Sequence, residues 1–359
     1  MKSKLYHFLV TAALGVTFLA SDADAKSVKV TITMTDDRVI TGFVTNGNSA
    51  ALLVASLPNA PSGPQIARSK ITSIFWEEPE EWKAAWKLWT RRDYIGAAKS
   101  FEEVATVFGN LTQIEDSFGS KAKYYQVESL RRAGEYENLR ELADETRRVS
   151  LSKSYQKQIQ LFDFWGHVGE KLWEPLKLLT DRFEMDEASV PSHTVPPNTM
   201  GFKSIEADLM IQIAFMRGIA TENLMRKAYK SAEAAVNPQL PETAQAASAA
   251  WADVKVAMVD YSRVYTLTYM SDQLLSKQAM EQCLGILKDD PNIEDNYQLQ
   301  KEAYAVASFY KDLFGKGKVP AGCEGFLKEP TPPESISEEV EEVEPAPAKE
   351  APAEKKKES

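Results

Sequence analysis

Four of the chain's seven tryptophans fall in IFWEEPEEWKAAWKLWTRRDY, residues 74–94. Three of them, Trp82, Trp86 and Trp89, are spaced i, i+4, i+7. That spacing places three indoles on one face of a helix. Such a face either grips a ligand through aromatic contact or serves as a packing seam. Reactive groups are sparser. Beyond the N-terminal apolar segment stand His167 and His193, and neither has the HExxH or paired spacing that holds zinc. Ser192 and His193, with Asp186 nearby, offer the residue types of a nucleophile and its base. Adjacent side chains of one loop rarely converge as a triad must, so no catalytic role is assigned to them. The chain has no Gly-x-Ser-x-Gly, phosphate loop or dinucleotide fingerprint; Gly315-Lys316-Gly317-Lys318 is too short and lacks a following Ser or Thr. KDDPNIEDN gathers four acids near a turn but lacks the central Gly and closing Glu of a calcium loop. It reads as a solvated connector. No metal and no cofactor is expected, and the chain reads as a non-enzyme.

The first 25 residues have a positive start (Lys2, Lys4), an apolar stretch to about Ala20, and Ala23-Asp24-Ala25 as a small-residue cleavage site. This predicts a signal peptide cut at about Ala25 and a periplasmic or secreted mature chain. The later apolar run Leu209–Ala220 is broken by Gln212 and Arg217, so no membrane span is expected. Of the net charge of −10, the acidic tail from Glu329 carries ten glutamates and four lysines, and the first 25 residues balance. The folded middle is left at −4, with no basic surplus to favour nucleic acid.

Residues 26–77 have the period of strands. SVKVTITM alternates Val28, Val30, Ile32 and Met34 with polar residues; Asp36-Asp37 is turn chemistry, and VITGFV, ALLVASL and KITSIFW follow. Four or five short strands predict a small barrel, since a closed sheet leaves no naked edges. The run with Asp37 and Gly42 five apart resembles Sm-like or SH3-like barrels, and the resemblance is carried for the fold, not for RNA binding. From Pro79 the period turns helical, with Pro79 and two glutamates at a helix start. Arg91-Arg92-Asp93 and the Gly134 region read as turns between helix pairs. Ala97 and Phe101, Ala85 and Leu88, then Leu130, Gly134 and Tyr136 resemble tetratricopeptide repeats over residues 78–150. The turn tyrosines Tyr94 and Tyr136 are 42 apart, where that family's period is about 34, and no closing proline occurs.

Beyond residue 150 apolar stripes lengthen: Leu161 to Phe183 with a break or kink at Pro175, Ile205 to Leu224, Val254 to Tyr269, and Leu299 to Leu313. The expected fold class is therefore α+β, mostly α. A signal peptide (1–25) precedes a small barrel (26–77), tetratricopeptide-like hairpins (78–150) and a long-helix domain (151–328) interrupted by a loop at 184–201. Residues 329–359, rich in Glu, Pro, Ala and Lys and lacking aromatics, are expected to be disordered. The repeat resemblance implies that the tryptophan face lines the concave groove, with Tyr124, Glu128, Arg131 and Arg132 in the matching places of the next unit. Monomers rarely leave so large an apolar patch bare, so the face reads first as a seam seating the barrel on the helices, second as an open groove. Cys283 and Cys323 are either a disulfide of an exported chain or two thiols, and the two readings stand even. An exported scaffold or interaction protein of the cell envelope with a protein partner is the leading reading. An envelope enzyme with a site under the 184–201 loop, or a glycan or cell-wall binder, are its rivals.

Overall fold

The computed structural model describes residues 26–58, 60, 63–182 and 204–333. The expected signal peptide, the 184–201 loop with Asp186 and His193, and nearly all of the tail lie outside the described residues. The chain divides into two compact units, Met1–Ser276 and Lys277–Ser359.

The first unit begins with five strands: β1 (Val28–Met34), β2 (Val39–Gly47), β3 (Ala51–Ala55), β4 (Gln65–Ala67) and β5 (Ile71–Trp76). They form one antiparallel sheet in the order β4-β3-β2-β1-β5. The alternation in β1 does what its sequence predicts: Val28, Val30, Ile32 and Met34 are all buried. β4 and β5 lie on opposite edges, yet only the single 3-10 turn Arg68–Lys70 joins them. Four interstrand gaps of about 4.8 Å would separate flat edges by roughly 19 Å. Three residues at about 2 Å each reach only some 6 Å. The sheet must therefore roll until its edges approach. Gly42 makes that curl sterically feasible, because a Cβ there would stand 2.7 Å from Val54 Cγ1 and 2.8 Å from the Ala55 carbonyl oxygen.

The chain then turns helical, as its change of period predicts. The first pair is α1 (Glu80–Thr90) and α2 (Tyr94–Val107); the second is α3 (Phe118–Ala133) and α4 (Leu139–Arg147). Pro79 caps α1, with Glu80 and Glu81 in its first turn. Asp93 caps α2 by accepting Gly96 N–H at 3.0 Å. α3 ends at Gly134 with φ 81°, a left-handed cap that glycine adopts without a Cβ penalty. α5 (Lys153–Gly169) and α6 (Trp173–Thr180) follow, with the chain restarting just ahead of Pro175. α7 (Ser204–Ala234), α8 (Pro241–Lys255) and α9 (Ala257–Thr268) complete the set before α10 (Gln273–Lys288). One stripe is split: Val254 lies in the last turn of α8, while Met258, Tyr261 and Tyr265 belong to α9. The break is local, a tightened turn in which Val256 N–H reaches Asp253 O at 3.3 Å instead of the residue four back.

α3 touches α5, α5 touches α7, and α7 touches α9. Alternate helices thus form a row of their own, as stacked helix pairs require. The sheet and the first helices share one apolar core, in which Val30, Ile32, Val44 and Leu52 meet Trp82, Ala85, Phe101 and Phe118. Asn110 fastens the two parts by donating its amide to Thr45 O.

The second unit contains α11 (Tyr297–Phe314) and short 3-10 turns at Lys316–Lys318 and Glu324–Leu327. Cys283 and Cys323 are buried there as thiols, and the Cys323 thiol donates to Leu284 O at 3.8 Å. Asp290, expected in a solvated connector, is only 2% exposed. Its Oδ1 accepts Asn292 N–H at 2.9 Å and shapes the turn before α11. No helix among the described residues is long and apolar enough to cross a membrane.

Trp82 should carry far more of the fold than its neighbour one turn on. Trp82→Ala empties a site bounded by Phe101, Phe118 and Tyr125, and about 3–5 kcal/mol of stability should be lost. Trp86→Ala, at a position 37% exposed, should cost less than half of that. Urea denaturation of both variants checks the ranking.

Candidate functional site

The seven candidate residues do not form a single surface. On α1, Trp82 is 7% exposed and lies within the core, covered by Phe118 and Tyr125 of α3. Trp86 and Trp89 continue its stack outward, at ring separations of 5.9 and 6.1 Å and with near-parallel planes. Trp86 is 37% exposed and Trp89 half-buried. Most of the tryptophan face is therefore a seam closed by α3 of the same chain.

The four candidates on α3 belong to a different setting. Tyr124, Glu128, Arg131 and Arg132 line a cavity of about 320 Å³. Tyr155 and Gln158 of α5, Asp208 and Gln212 of α7, and Asp272 just before α10 complete its polar wall. The α3 residues recur every three or four positions, so one helix stripe delivers all four. Glu128 is the hub. Its Oε2 accepts Arg131 Nε–H at 2.7 Å, and its Oε1 accepts Arg131 Nη2–H at 2.7 Å and Arg132 Nε–H at 2.8 Å. Arg131 Nη2 also donates to Asp272 Oδ2 at 3.1 Å. Asp272 Oδ1 in turn caps α10 through Leu275 N–H at 3.2 Å. Arg132 is steadied over the Trp89 ring, 5.0 Å from its centroid. Hence Trp89, half-buried at the end of the stack, supports a cavity arginine.

The far wall is held by a closed amide pair. Gln158 and Gln212 exchange hydrogen bonds at 3.0 and 2.9 Å, and the buried Trp165 indole donates to Gln212 Oε1 at 2.9 Å. Tyr124 stands edge-on to Tyr155, 4.6 Å between ring centroids. Burial raises the Tyr124 phenol well above its ordinary value, so it stays protonated.

The carboxyl groups divide by environment. Burial works against ionised Glu128 and Asp272, but Arg131 and Arg132 outweigh it and hold both pKa values below the ordinary ones. Asp208 goes the other way. Burial of its carboxyl raises its pKa, Asp272 and Glu128 add to the rise, and Arg132 and Arg131 oppose it. The residue as a whole is nonetheless exposed at the rim.

Sequence reasoning found the α3 stripe and missed the other walls. Gln212 had a visible signal, as the polar break in an apolar run, and Asp272 had the residue type of a helix cap. Asp208, Tyr155 and Gln158 had none. His167 lies apart, its ring Nδ1 2.7 Å from Asp163 O. No protein-family model, no curated protein and no solved structure matches the chain.

A lowered carboxylate pKa contributes stability above its unfolded value and loses it as pH falls through the folded one. The stabilisation from Glu128 and Asp272 should therefore be intact at neutral pH and drain away below about 4.5 and 3.8. Glu128→Leu leaves Arg131, 3% exposed, without its main partner and should cost about 3–5 kcal/mol. It should also flatten the acid limb of a melting-temperature profile between pH 2.5 and 7, on the order of the window those carboxylates span. An unchanged acid limb would show that the network does not govern acid unfolding.

Proposed function

We propose that this chain is an exported, non-enzymatic binding protein of the cell envelope. In this reading it is a tetratricopeptide-like solenoid carrying an Sm-like or SH3-like barrel, and it holds a protein partner on the alternate-helix row α1, α3, α5, α7. The observation that supports it best is the α3 stripe, where an anchored arginine–carboxylate network borders a cavity and one of its arginines rests on the half-buried Trp89. Arginine and tryptophan are the residues that most often dominate partner binding, especially when already held in place. Arg132 is so held, by Glu128 on one side and Trp89 on the other. The strand order supports the barrel comparison, with a single 3-10 turn linking the edge strands. The contacts along the odd-numbered helices support the solenoid comparison. The apolar N-terminal segment supports export.

The mature chain, immobilised and exposed to native envelope extract, should retain a discrete protein partner. Trp86→Ala and Arg132→Ala should each lose that partner while melting within a few degrees of the parent, roughly the shift expected for a half-exposed side chain. Equal retention by parent and variants, or turnover of a substrate by the purified chain, would overturn the reading.

A further inference from the structure

Among the described residues, the cavity holds two kinds of group whose hydrogen-bonding capacity is unfilled and which do not meet each other. Arg131 commits Nε and Nη2 to Glu128 and Asp272, and Arg132 commits Nε to Glu128. Among the described residues, no acceptor meets Nη1 of Arg131 or either Nη of Arg132. Across the cavity, Asp208 on α7 feels both arginines electrostatically. Among the described residues, no ion pair joins it to either of them. A mobile arginine facing an unpaired carboxylate would swing over and close that gap. Arg132 cannot do so freely, because Glu128 fixes its Nε and the Trp89 ring fixes its plane.

The charge balance narrows what could fill the space. Two guanidiniums face three carboxylates in the lining. A bare anion would sit among those carboxylates, and a bare cation would sit against two guanidiniums. A ligand of zero net charge with its two charges separated satisfies both ends. Size narrows it further, since about 320 Å³ is at the small end of the ~300–1,000 Å³ range of ligand pockets. It suits one small molecule and not a folded segment. Tyr124 and Tyr155 supply aromatic wall for a side chain.

We propose that this cavity binds a small zwitterion, an α-amino acid or a very short peptide. Its carboxylate is received by the outer nitrogens of Arg131 and Arg132, and its ammonium group by Asp208. A carboxylate suits that place because guanidinium N–H groups grip planar anions through paired, charge-assisted hydrogen bonds. Asp208 would be matched to an ammonium for the same reason, and a cation beside it would offset the surroundings that disfavour its ionisation. The inference rests on the binding reading only in taking the cavity as a holding site. It does not require a protein partner.

The test is calorimetric titration of the full mature chain with L-phenylalanine, L-glutamine and L-alanyl-L-alanine, each beside its N-acetyl and its carboxamide form. At least one free zwitterion should bind in the micromolar to low millimolar range, and blocking either terminus should weaken it roughly tenfold or more. Arg132→Gln should abolish that binding. Asp208→Asn is the second variant, at an exposed rim position where unfolding is not a concern. It should lose the zwitterion while leaving any residual affinity for the N-acetyl form unchanged, and should melt at or above the parent temperature at neutral pH. Equal binding of the free and N-acetyl forms, equal binding of the free and carboxamide forms, or no heat from any of the three families would overturn the proposal. A protein partner still captured through Trp86 would then leave the broader binding role standing. Release of free alanine from the dipeptide would sink that broader role instead.

Discussion

A guanidinium cannot shed its proton inside a protein, so a buried arginine must be answered by negative charge where it stands. Arg131 is 3% exposed. Its partners come from two distances in the sequence: Glu128 one helical turn earlier, and Asp272 141 residues later. The local partner is nearly free of entropic cost, since both residues are on α3. The distant one makes closure of the first unit a condition of satisfying the charge. Asp272 also caps α10, so the same carboxylate that answers Arg131 fixes where that helix begins. α3 is thereby tied to the start of α10, and the space between α3, α5 and α7 acquires fixed walls.

Buried ion networks of this kind do not outdo well-packed apolar side chains in stability. Their effect here is on position. The Gln158–Gln212 pair does for α5 and α7 what Glu128 does within α3. Two amides that exchange one bond in each direction favour a single register, because a slip by one residue breaks both bonds at once. Polar groups hold the cavity rigid, while the apolar mass of the core lies elsewhere, between the rolled sheet and α1 to α3.

This division explains how much could be read in advance. Periodicity shows which face of an element is apolar, and so the alternation of β1, the helix start at Pro79 and the turns at Arg91–Asp93 and Gly134 were legible. Periodicity does not show what covers a face. Trp82, Trp86 and Trp89 share one stripe, yet Tyr125 and Phe118 of α3 close over the first and leave the second partly open. Nor does it register a helix that breaks without punctuation, as at Val256, where no Gly or Pro marks the turn between α8 and α9. The cavity was half legible for the same reason. Its α3 wall is local and repeats at helical spacing. Asp208 and Asp272 reach it only through tertiary closure, and no spacing rule connects them to Arg131.

Carboxyl groups driven apart in pKa within one cavity are also what an acid–base pair looks like, so the choice between holding and transforming a ligand turns on lone pairs. Glu128 spends its oxygens on three N–H groups, and Asp272 spends one oxygen on Arg131 and the other on a helix cap. A carboxylate so engaged is a poor proton acceptor, because protonating it forfeits charge-assisted bonds in a buried place. Among the described residues nothing holds the carboxyl oxygens of Asp208, whose carboxyl is partly buried although the residue lies at the exposed rim. Two of the three carboxylates are thus withheld from proton transfer, which needs an available base. The proposed binding needs only fixed donors and an acceptor left open across a gap, the places it gives to Arg131, Arg132 and Asp208.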